Sequence, residues 1–216
     1  MNIIQPIVDV AHVILLYLYN ITGNYGIAII LLTVLTRMIT LPLTNKQMSS
    51  AKAMQDLQPE LKRLQEKYKN DKEKLNQETM ALWKANKVNP AAGCLPLIVQ
   101  FPILIAIFRL LADSERLYID IVNFSPNFLF LDMTKPDPTF ILPVLSAVTT
   151  WLQQKSMMTD KSQQAMMIAM PIMILVFSIR FPAGLVLYWV VGNLISIAHH
   201  YYLLKKPAGK GALKEE

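Results

Sequence analysis

Long apolar runs in which polar residues recur on one helical face dominate the pattern of this chain. The clearest run is YGIAIILLTVLTRMITLPLT, residues 25–44, which is about as long as a segment that spans a bilayer. Its polar positions follow the spacing i, i+3, i+4, i+7, and they are Thr33, Thr36, Arg37 and Thr40. This spacing places them on one face of a helix. The pattern therefore predicts a membrane-spanning helix that is polar on one side only.

Arg37 is an expensive residue near the middle of such a helix. An arginine there costs about 2.5–3.5 kcal/mol on insertion scales. Two interpretations follow: the side chain extends to the nearer headgroups, or it lines a water-filled cavity. Polar stripes on other spans favour the cavity.

Four further spans are predicted, at 91–111, about 138–155, 165–179 and 183–204. Gln100 lies within the second span. Polar residues recur on one face of the third and fifth spans. They are Ser146, Thr150 and Gln153, with Gln154 beside them, on the third span, and Trp189, Asn193, Ser196 and His200 on the fifth.

The segments outside the spans differ in character. Residues 1–22 lack the basic n-region and cleavage site of a secretory signal, and they predict an interfacial amphipathic helix that ends near Gly23. Residues 45–88, within a core of 23–204, are rich in charge. Their apolar residues follow a 3-4 spacing, which predicts a coiled-coil hairpin with a turn at Asn70-Asp71 and a restart at Pro59. The polar tail, 205–216, is predicted to be disordered.

Basic residues predict the orientation. The hairpin, the link between the third and fourth spans and the tail hold 16 of the 21 Lys and Arg residues. The positive-inside rule therefore places the hairpin and the C-terminus in the cytoplasm and the N-terminus outside. Five spans satisfy this arrangement.

Catalytic, metal and ion-conducting functions lack their usual residues. The chain is 53% hydrophobic and 17% charged, and the predicted spans hold no carboxylate for a proton relay or a cation path. Adjacent His199 and His200 have no nucleophile or acid near them in sequence. The single cysteine, Cys94, excludes an internal disulfide and predicts a buried, inert thiol. We therefore expect no enzyme activity, no metal and no cofactor.

Several stretches together resemble the YidC/Oxa1/Alb3 membrane protein insertases, over about 24–204. Besides the Arg37 span, they are LQPELKRLQEKYKND, VNPAAGCLPLIVQFPILIAIF, the segment from Asp137 to Pro143, and PAGLVLYWVVGN, in the same order and spacing. The resemblance implies an all-α membrane protein with five transmembrane helices around a hydrophilic groove, a cytoplasmic helical hairpin and an N-terminal interfacial helix.

The resemblance also implies a function and its residues. The chain would receive nascent hydrophobic segments from the cytoplasm and release them into the bilayer of the bacterial plasma (inner) membrane. The implied groove residues are Arg37, Thr33, Thr36, Thr40, Gln100, Gln153, Gln154, Tyr188, Trp189 and Asn193. Partners would be nascent membrane proteins and lipid, with the ribosome and the Sec translocase as further candidates and no specific nucleic-acid sequence. Two alternatives remain open: an assembly scaffold of a larger translocase, and a small channel or transporter subunit.

Overall fold

The chain is mostly helical. A computed structural model describes it except for residues 1–3, 87, 89–94, 114–118, 122, 158–163 and 206–216. Within the helices it does not describe the side chains of 46–48, 50–52, 55, 95–100, 156–157, 164–166 and 203–205. The predictions for Cys94, for the link between the third and fourth spans and for nearly all of the tail lie outside the described residues.

Eight helices and one short strand pair are described. The helices are α1 Gln5–Thr22, α2 Tyr25–Asp56, α3 Gln58–Lys67, α4 Lys72–Ala85, α5 Leu95–Ala112, α6 Ile141–Met157, α7 Gln164–Ser178 and α8 Ala183–Lys205. The strands are β1 Asn127–Phe128 and β2 Leu131–Asp132. They pair antiparallel, with Asn127 opposite Asp132.

Two helices among the described residues are long and apolar enough to cross a membrane. They are the Tyr25–Asn45 part of α2 and the Ala183–Tyr202 part of α8. Shorter apolar segments, Phe101–Ala112 and Met167–Ser178, lie in α5 and α7. Helices α6 and α7 have 17 and 15 residues, which extend only about 22–26 Å at 1.5 Å per residue. The count of five spans therefore stays a prediction.

The chain divides into two compact units, of which the first comprises Met1–Ile7 and Met38–Ala106. Its helical hairpin has the predicted form: Pro59 lies in the first turn of α3, and Asp71 caps α4 by accepting a hydrogen bond from the Lys74 N–H at 3.0 Å. Leu57 and Leu61, which belong to the apolar residues with 3-4 spacing in the hairpin, are buried. The restart and the turn are therefore confirmed.

Helix α2 shows one difference from the prediction. The apolar span ends at Asn45, next to the predicted end at residue 44, but the helix itself continues to Asp56, with Pro42 inside it. The change from apolar to polar sequence marks a change of surroundings, and it does not interrupt the helical hydrogen bonds.

The second compact unit comprises Val8–Arg37 and Ile107–Glu216, and α8 is its most buried helix. Helix α6 packs against both α7 and α8. The start of α8 is fixed by backbone hydrogen bonds from Ala183 N to Lys135 O, at 2.7 Å, and from Gly184 N to Met133 O, at 2.8 Å. These bonds satisfy donors that every helix N-terminus leaves free. Residues 179–182 form a sharp turn between the end of α7 and the start of α8.

Contacts at one end of the same unit join α1 to the segment that follows α5. The predicted helix is present and ends before Gly23, whose φ of +63° lets the chain turn into α2. His12 Nε2 lies 2.7 Å from Asp120 Oδ2, and the Tyr19 hydroxyl accepts a hydrogen bond from Ser125 N at 2.8 Å. Phe124 packs between the rings of Tyr19 and Tyr25, at centroid distances of 5.2 and 5.0 Å. The helix is therefore tied to the body of its unit by polar and aromatic contacts.

Asp137 fixes the start of α6, three residues later than the predicted start of the third span. Its buried carboxylate accepts hydrogen bonds from the Thr139 N–H and hydroxyl, at 2.8 and 2.6 Å, and from Leu142 N, at 2.8 Å. Burial opposes ionisation, but the hydrogen bonds outweigh it, so the pKa of Asp137 lies below its usual value. The carboxylate thus serves as a cap for the first turn of α6.

Large apolar side chains cover the outer faces of several helices. Exposed examples are Leu31, Val34, Leu35 and Ile39 on α2, Val144, Val148 and Leu152 on α6, and Ile168, Ile172, Val176 and Phe177 on α7. Apolar surface of this extent is unusual for a protein in water and is expected where helices face lipid.

Candidate functional site

The polar face of α2 is largely satisfied by its own helix. The Thr33 hydroxyl donates to Ile29 O at 2.7 Å, and the Thr36 hydroxyl donates to Thr33 O at 2.8 Å. Thr33 is completely buried, with 0% exposure, whereas Thr36 and Thr40 are half-buried. Bonds to the preceding turn lower the cost of hydroxyl groups in an apolar setting. Among these threonines, Thr36 and Thr40 therefore remain accessible.

Arg37 lies against α8. A Cβ atom added to Gly192 would stand 2.5 Å from Arg37 Nη2, 3.2 Å from Nε and 3.3 Å from Cζ. The guanidinium thus occupies the space that a larger residue would fill. Tyr188, one turn earlier on α8 and 2% exposed, is close enough to Arg37 to interact with it electrostatically. The only charged side chain of the Tyr25–Asn45 span is therefore half-buried beside a neighbouring helix.

A second polar cluster joins α6 to α8. The Trp189 indole N–H donates to the Thr150 hydroxyl at 3.0 Å, and the Asn193 amide donates to the hydroxyls of Thr150 and Thr149, at 3.0 and 3.2 Å. With the amide turned over, its nitrogen instead donates to Gln153 Oε1 at 2.8 Å, and its oxygen accepts from Trp189 and both threonines. Asn193 is only 3% exposed. In either orientation it bridges the two helices.

The same face of α6 also contacts α7. The hydroxyls of Ser146 and Ser178 lie 2.9 Å apart, and both residues are buried. Polar side chains between spanning helices satisfy one another in this way, at about 0.6 kcal/mol per hydrogen bond on average. The polar stripe of α6 is therefore largely a helix–helix interface.

The chain matches one known protein family over most of its length. A model of the family described as 60Kd inner membrane protein matches residues 17–210. The chain belongs to this family. It is 45% identical over 200 residues to the membrane protein insertase YidC of Fusobacterium nucleatum, which covers 90% of this chain and 95% of that protein. It is 49% identical over 205 residues to the membrane protein insertase MisCA of Bacillus subtilis, with 88% and 74% covered.

A solved structure gives the same result for the fold. The chain is similar to the structure titled "Active YidC insertase crystal structure with the first transmembrane domain resolved", with a TM-score of 0.73 and 27% identity. The match covers 94% of this chain and 47% of the other. The resemblance to the YidC family that the sequence indicated is thereby confirmed. The prediction of a mostly helical membrane protein is confirmed as well.

The predicted site residues other than the threonines of α2 fall into four sets. The structure brings Arg37 and Tyr188 together, and it joins Trp189, Asn193 and, through the turned amide, Gln153 in the α6–α8 cluster. Gln154 is half-buried, and its Oε1 atom has no hydrogen-bond partner among the described residues. The side chain of Gln100 lies outside the described residues. These site assignments stay predictions.

Two residues of the sites were missed at the level of sequence. Thr149 was passed over because Thr150 fitted the stripe equally well, although both hydroxyls lie within hydrogen-bond distance of Asn193. Gly192 was missed because a glycine offers no side chain to a polar pattern. Its position four residues after Tyr188 was an available signal, since a glycine inside a helix often marks close approach of another group.

Proposed function

We propose that this chain is a membrane protein insertase that admits polar parts of a nascent protein beside Arg37 and releases its hydrophobic segments into lipid. The observation that carries the proposal is the position of Arg37: a permanent cation held half-buried beside α8, on a helix whose other faces are apolar. The names of the relatives from Fusobacterium nucleatum and Bacillus subtilis support the same activity.

The arginine gives the entry step its selectivity. A segment that crosses the membrane carries peptide groups and charged side chains, whose transfer into hydrocarbon is costly. An acidic side chain that enters beside Arg37 gains an ionic partner in surroundings of lower dielectric than water, where the attraction is stronger. We propose that Thr36 and Thr40 offer further polar contacts on the same helix.

Apolar transfer drives the release step. Each Å² of apolar surface that leaves water contributes about 25 cal/mol, so a hydrophobic segment gains enough free energy to insert without nucleotide hydrolysis. Trp189 and Gln154 are half-buried, and we propose that they contact the moving segment together with Gln153 and Gln100, whereas Tyr188, 2% exposed, lies beside Arg37. Asn193, in contrast, holds α6 to α8.

The topology completes the proposal. Five helices cross the plasma membrane, with the hairpin and the C-terminus in the cytoplasm and the N-terminus outside. The hairpin receives the nascent segment, and ribosome and Sec translocase are candidate partners on that side. A single cysteine placed in the tail should resist a membrane-impermeant maleimide in intact cells, and efficient labelling would overturn this orientation.

Reconstitution tests the activity itself. The purified chain in liposomes should insert a short in vitro translated membrane protein, measured as a protease-protected fragment, well above the level of empty liposomes. A photoreactive residue at position 36 should crosslink to the substrate, whereas one at Val176, on the exposed apolar face of α7, serves as the control. Equal insertion with and without the chain would contradict the proposal and favour an assembly scaffold.

A further inference from the structure

Gly192 occupies an unusual place in α8. A Cβ atom at this position would meet three atoms of the Arg37 guanidinium group, the nearest of them Nη2 at 2.5 Å, and those are the three nearest heavy atoms outside the neighbouring backbone of α8. Real Cβ atoms essentially never approach a heavy atom below 3.0 Å, so any larger residue requires a shift. The atoms that must shift belong to the end of a flexible side chain.

The direction of that shift decides its consequence. The Arg37 side chain has several rotatable bonds, so its end can move at little cost to the packing of α2 and α8. An alanine at position 192 would therefore leave the helices in place and displace the positive charge. Since the attraction between two ions depends on their separation, a displaced charge offers a different affinity to an acidic side chain.

We infer that Gly192 is a positioning residue that sets the location of the Arg37 guanidinium along α8, and thereby the preference of the insertase for acidic translocated segments. This inference rests on the proposed function of Arg37. Gly192 itself touches no substrate in this account. It acts by leaving the backbone of α8 bare where the guanidinium lies.

A matched glycine on the same helix provides the control. A Cβ atom at Gly184 would lie 2.8 Å from Ile29 Cδ1 and 3.0 Å from Met133 O, which are apolar and backbone atoms away from Arg37. Gly184→Ala therefore strains the packing of α8 without displacing the charge. Any general loss of stability or activity from an extra methyl group in α8 appears in this variant too.

The experiment measures charge preference in reconstituted liposomes. Two substrates that differ only in whether the translocated tail carries aspartates or asparagines are inserted by wild type, Gly192→Ala, Gly184→Ala and Arg37→Ala. An increase in ion-pair separation from about 4 to about 5 Å, at an effective dielectric of about 20, corresponds to about a fourfold change in affinity. We expect Gly192→Ala to lower the ratio of acidic to neutral insertion about fourfold and Gly184→Ala to leave the ratio unchanged.

A lysine variant separates positioning from a general effect of the added methyl group. The lysine side chain ends one bond short of the Nη2 atom that a Cβ at position 192 would meet, and its ammonium is compact. In the Arg37→Lys background, Gly192→Ala should therefore change the ratio by less than about twofold, because residues that act through one contact are not additive. The same fourfold change in both backgrounds would overturn the inference.

The remaining outcomes distinguish this inference from the proposed function. If Arg37→Ala lowers the ratio but Gly192→Ala behaves like Gly184→Ala, the positioning role of Gly192 is wrong and the role of Arg37 stands. If Arg37→Ala leaves the ratio at the wild-type value, the electrostatic role of Arg37 is wrong.

Discussion

Two polar clusters within the second compact unit use their polar groups differently. The α6–α8 cluster is neutral and buried, and its donors and acceptors face one another: Asn193, 3% exposed, bridges α6 and α8. The Arg37 cluster carries a permanent charge, is half-buried, and faces a glycine. A satisfied neutral cluster holds helices together, whereas a half-buried cation can still receive a partner. Polar residues at similar spacing on these apolar helices therefore have different roles.

The largest expected effect comes from reversing the charge of the Arg37 cluster. Arg37→Glu places an anion where the proposed mechanism needs a cation, so acidic translocated segments meet repulsion in a setting of low dielectric. We expect insertion of an acidic substrate to fall by about 100-fold relative to a neutral one, equivalent to about 2.7 kcal/mol. A loss of equal size for both substrates, measured by protease protection, would contradict this.

A change in the α6–α8 cluster should lower the stability of the protein and leave its preference for acidic substrates unchanged. Asn193→Ala removes the bridge and leaves hydroxyl and amide groups on α6 without their partner, at a cost of about 1–2 kcal/mol. We expect a lower apparent melting temperature in detergent and an equal loss of acidic and neutral insertion.

Ser196→Ala is the matched control for that variant. Ser196 lies on the same helix and is also buried, but among the described residues its hydroxyl donates to Gly192 O of its own helix alone, at 2.9 Å. Its removal should lower the melting temperature much less. Equal losses for the two variants would show that the cluster does not join the helices.

A smaller effect is expected at Asp137, which fixes the start of the helix that carries the neutral cluster. The pKa of Asp137 is lowered in the fold because hydrogen bonds from Thr139 and the backbone outweigh burial. A lowered pKa contributes stability that is present above the unfolded value near 3.9 and is lost as the pH falls through the folded value. Asp137→Asn keeps one acceptor oxygen and loses the other, so it should cost about 1–2 kcal/mol at pH 7.

The pH dependence identifies the cause. The difference in melting temperature between wild type and Asp137→Asn should shrink as the pH falls from about 4 through the lowered pKa of Asp137, below which the wild-type carboxyl group is also neutral. Asp132→Asn is the control, because Asp132 accepts similar bonds from Thr134 but starts no helix and pairs with the exposed Lys135. A difference for Asp137→Asn that is constant with pH would exclude the ionised cap.

Much of the helical pattern could be predicted because hydrophobic periodicity and the residues that start or end helices act locally. The turn at Asn70-Asp71 and the restart at Pro59 follow from residues whose backbone preferences act within a few positions. The spacing of Thr33, Thr36 and Arg37 likewise predicted one face of α2. The continuation of α2 beyond residue 44 was not predictable from polarity, because hydrogen bonding inside a helix continues when its surroundings change.

The partners of each polar face could not be predicted. Periodicity predicts which residues share one face of a helix, but it does not predict which other helix packs against that face. The stripes that contain Thr150 and Asn193 were therefore both assigned to a groove, whereas the structure bonds them to each other. The place of Arg37 beside Gly192 depends on a contact between residues 155 positions apart, for which the sequence offers only an unexplained glycine.

In the proposed mechanism, Arg37 acts as a cation for the translocated segment. The most direct measurement compares Arg37→Ala with Asn193→Ala in reconstituted insertion of two substrates that differ only in the charge of the translocated tail. We predict that Arg37→Ala slows the acidic substrate about tenfold more than the neutral one, which corresponds to about 1.4 kcal/mol, and that Asn193→Ala slows both equally. If Arg37→Ala slows both substrates equally, the arginine serves hydration or helix packing, and the electrostatic account is wrong.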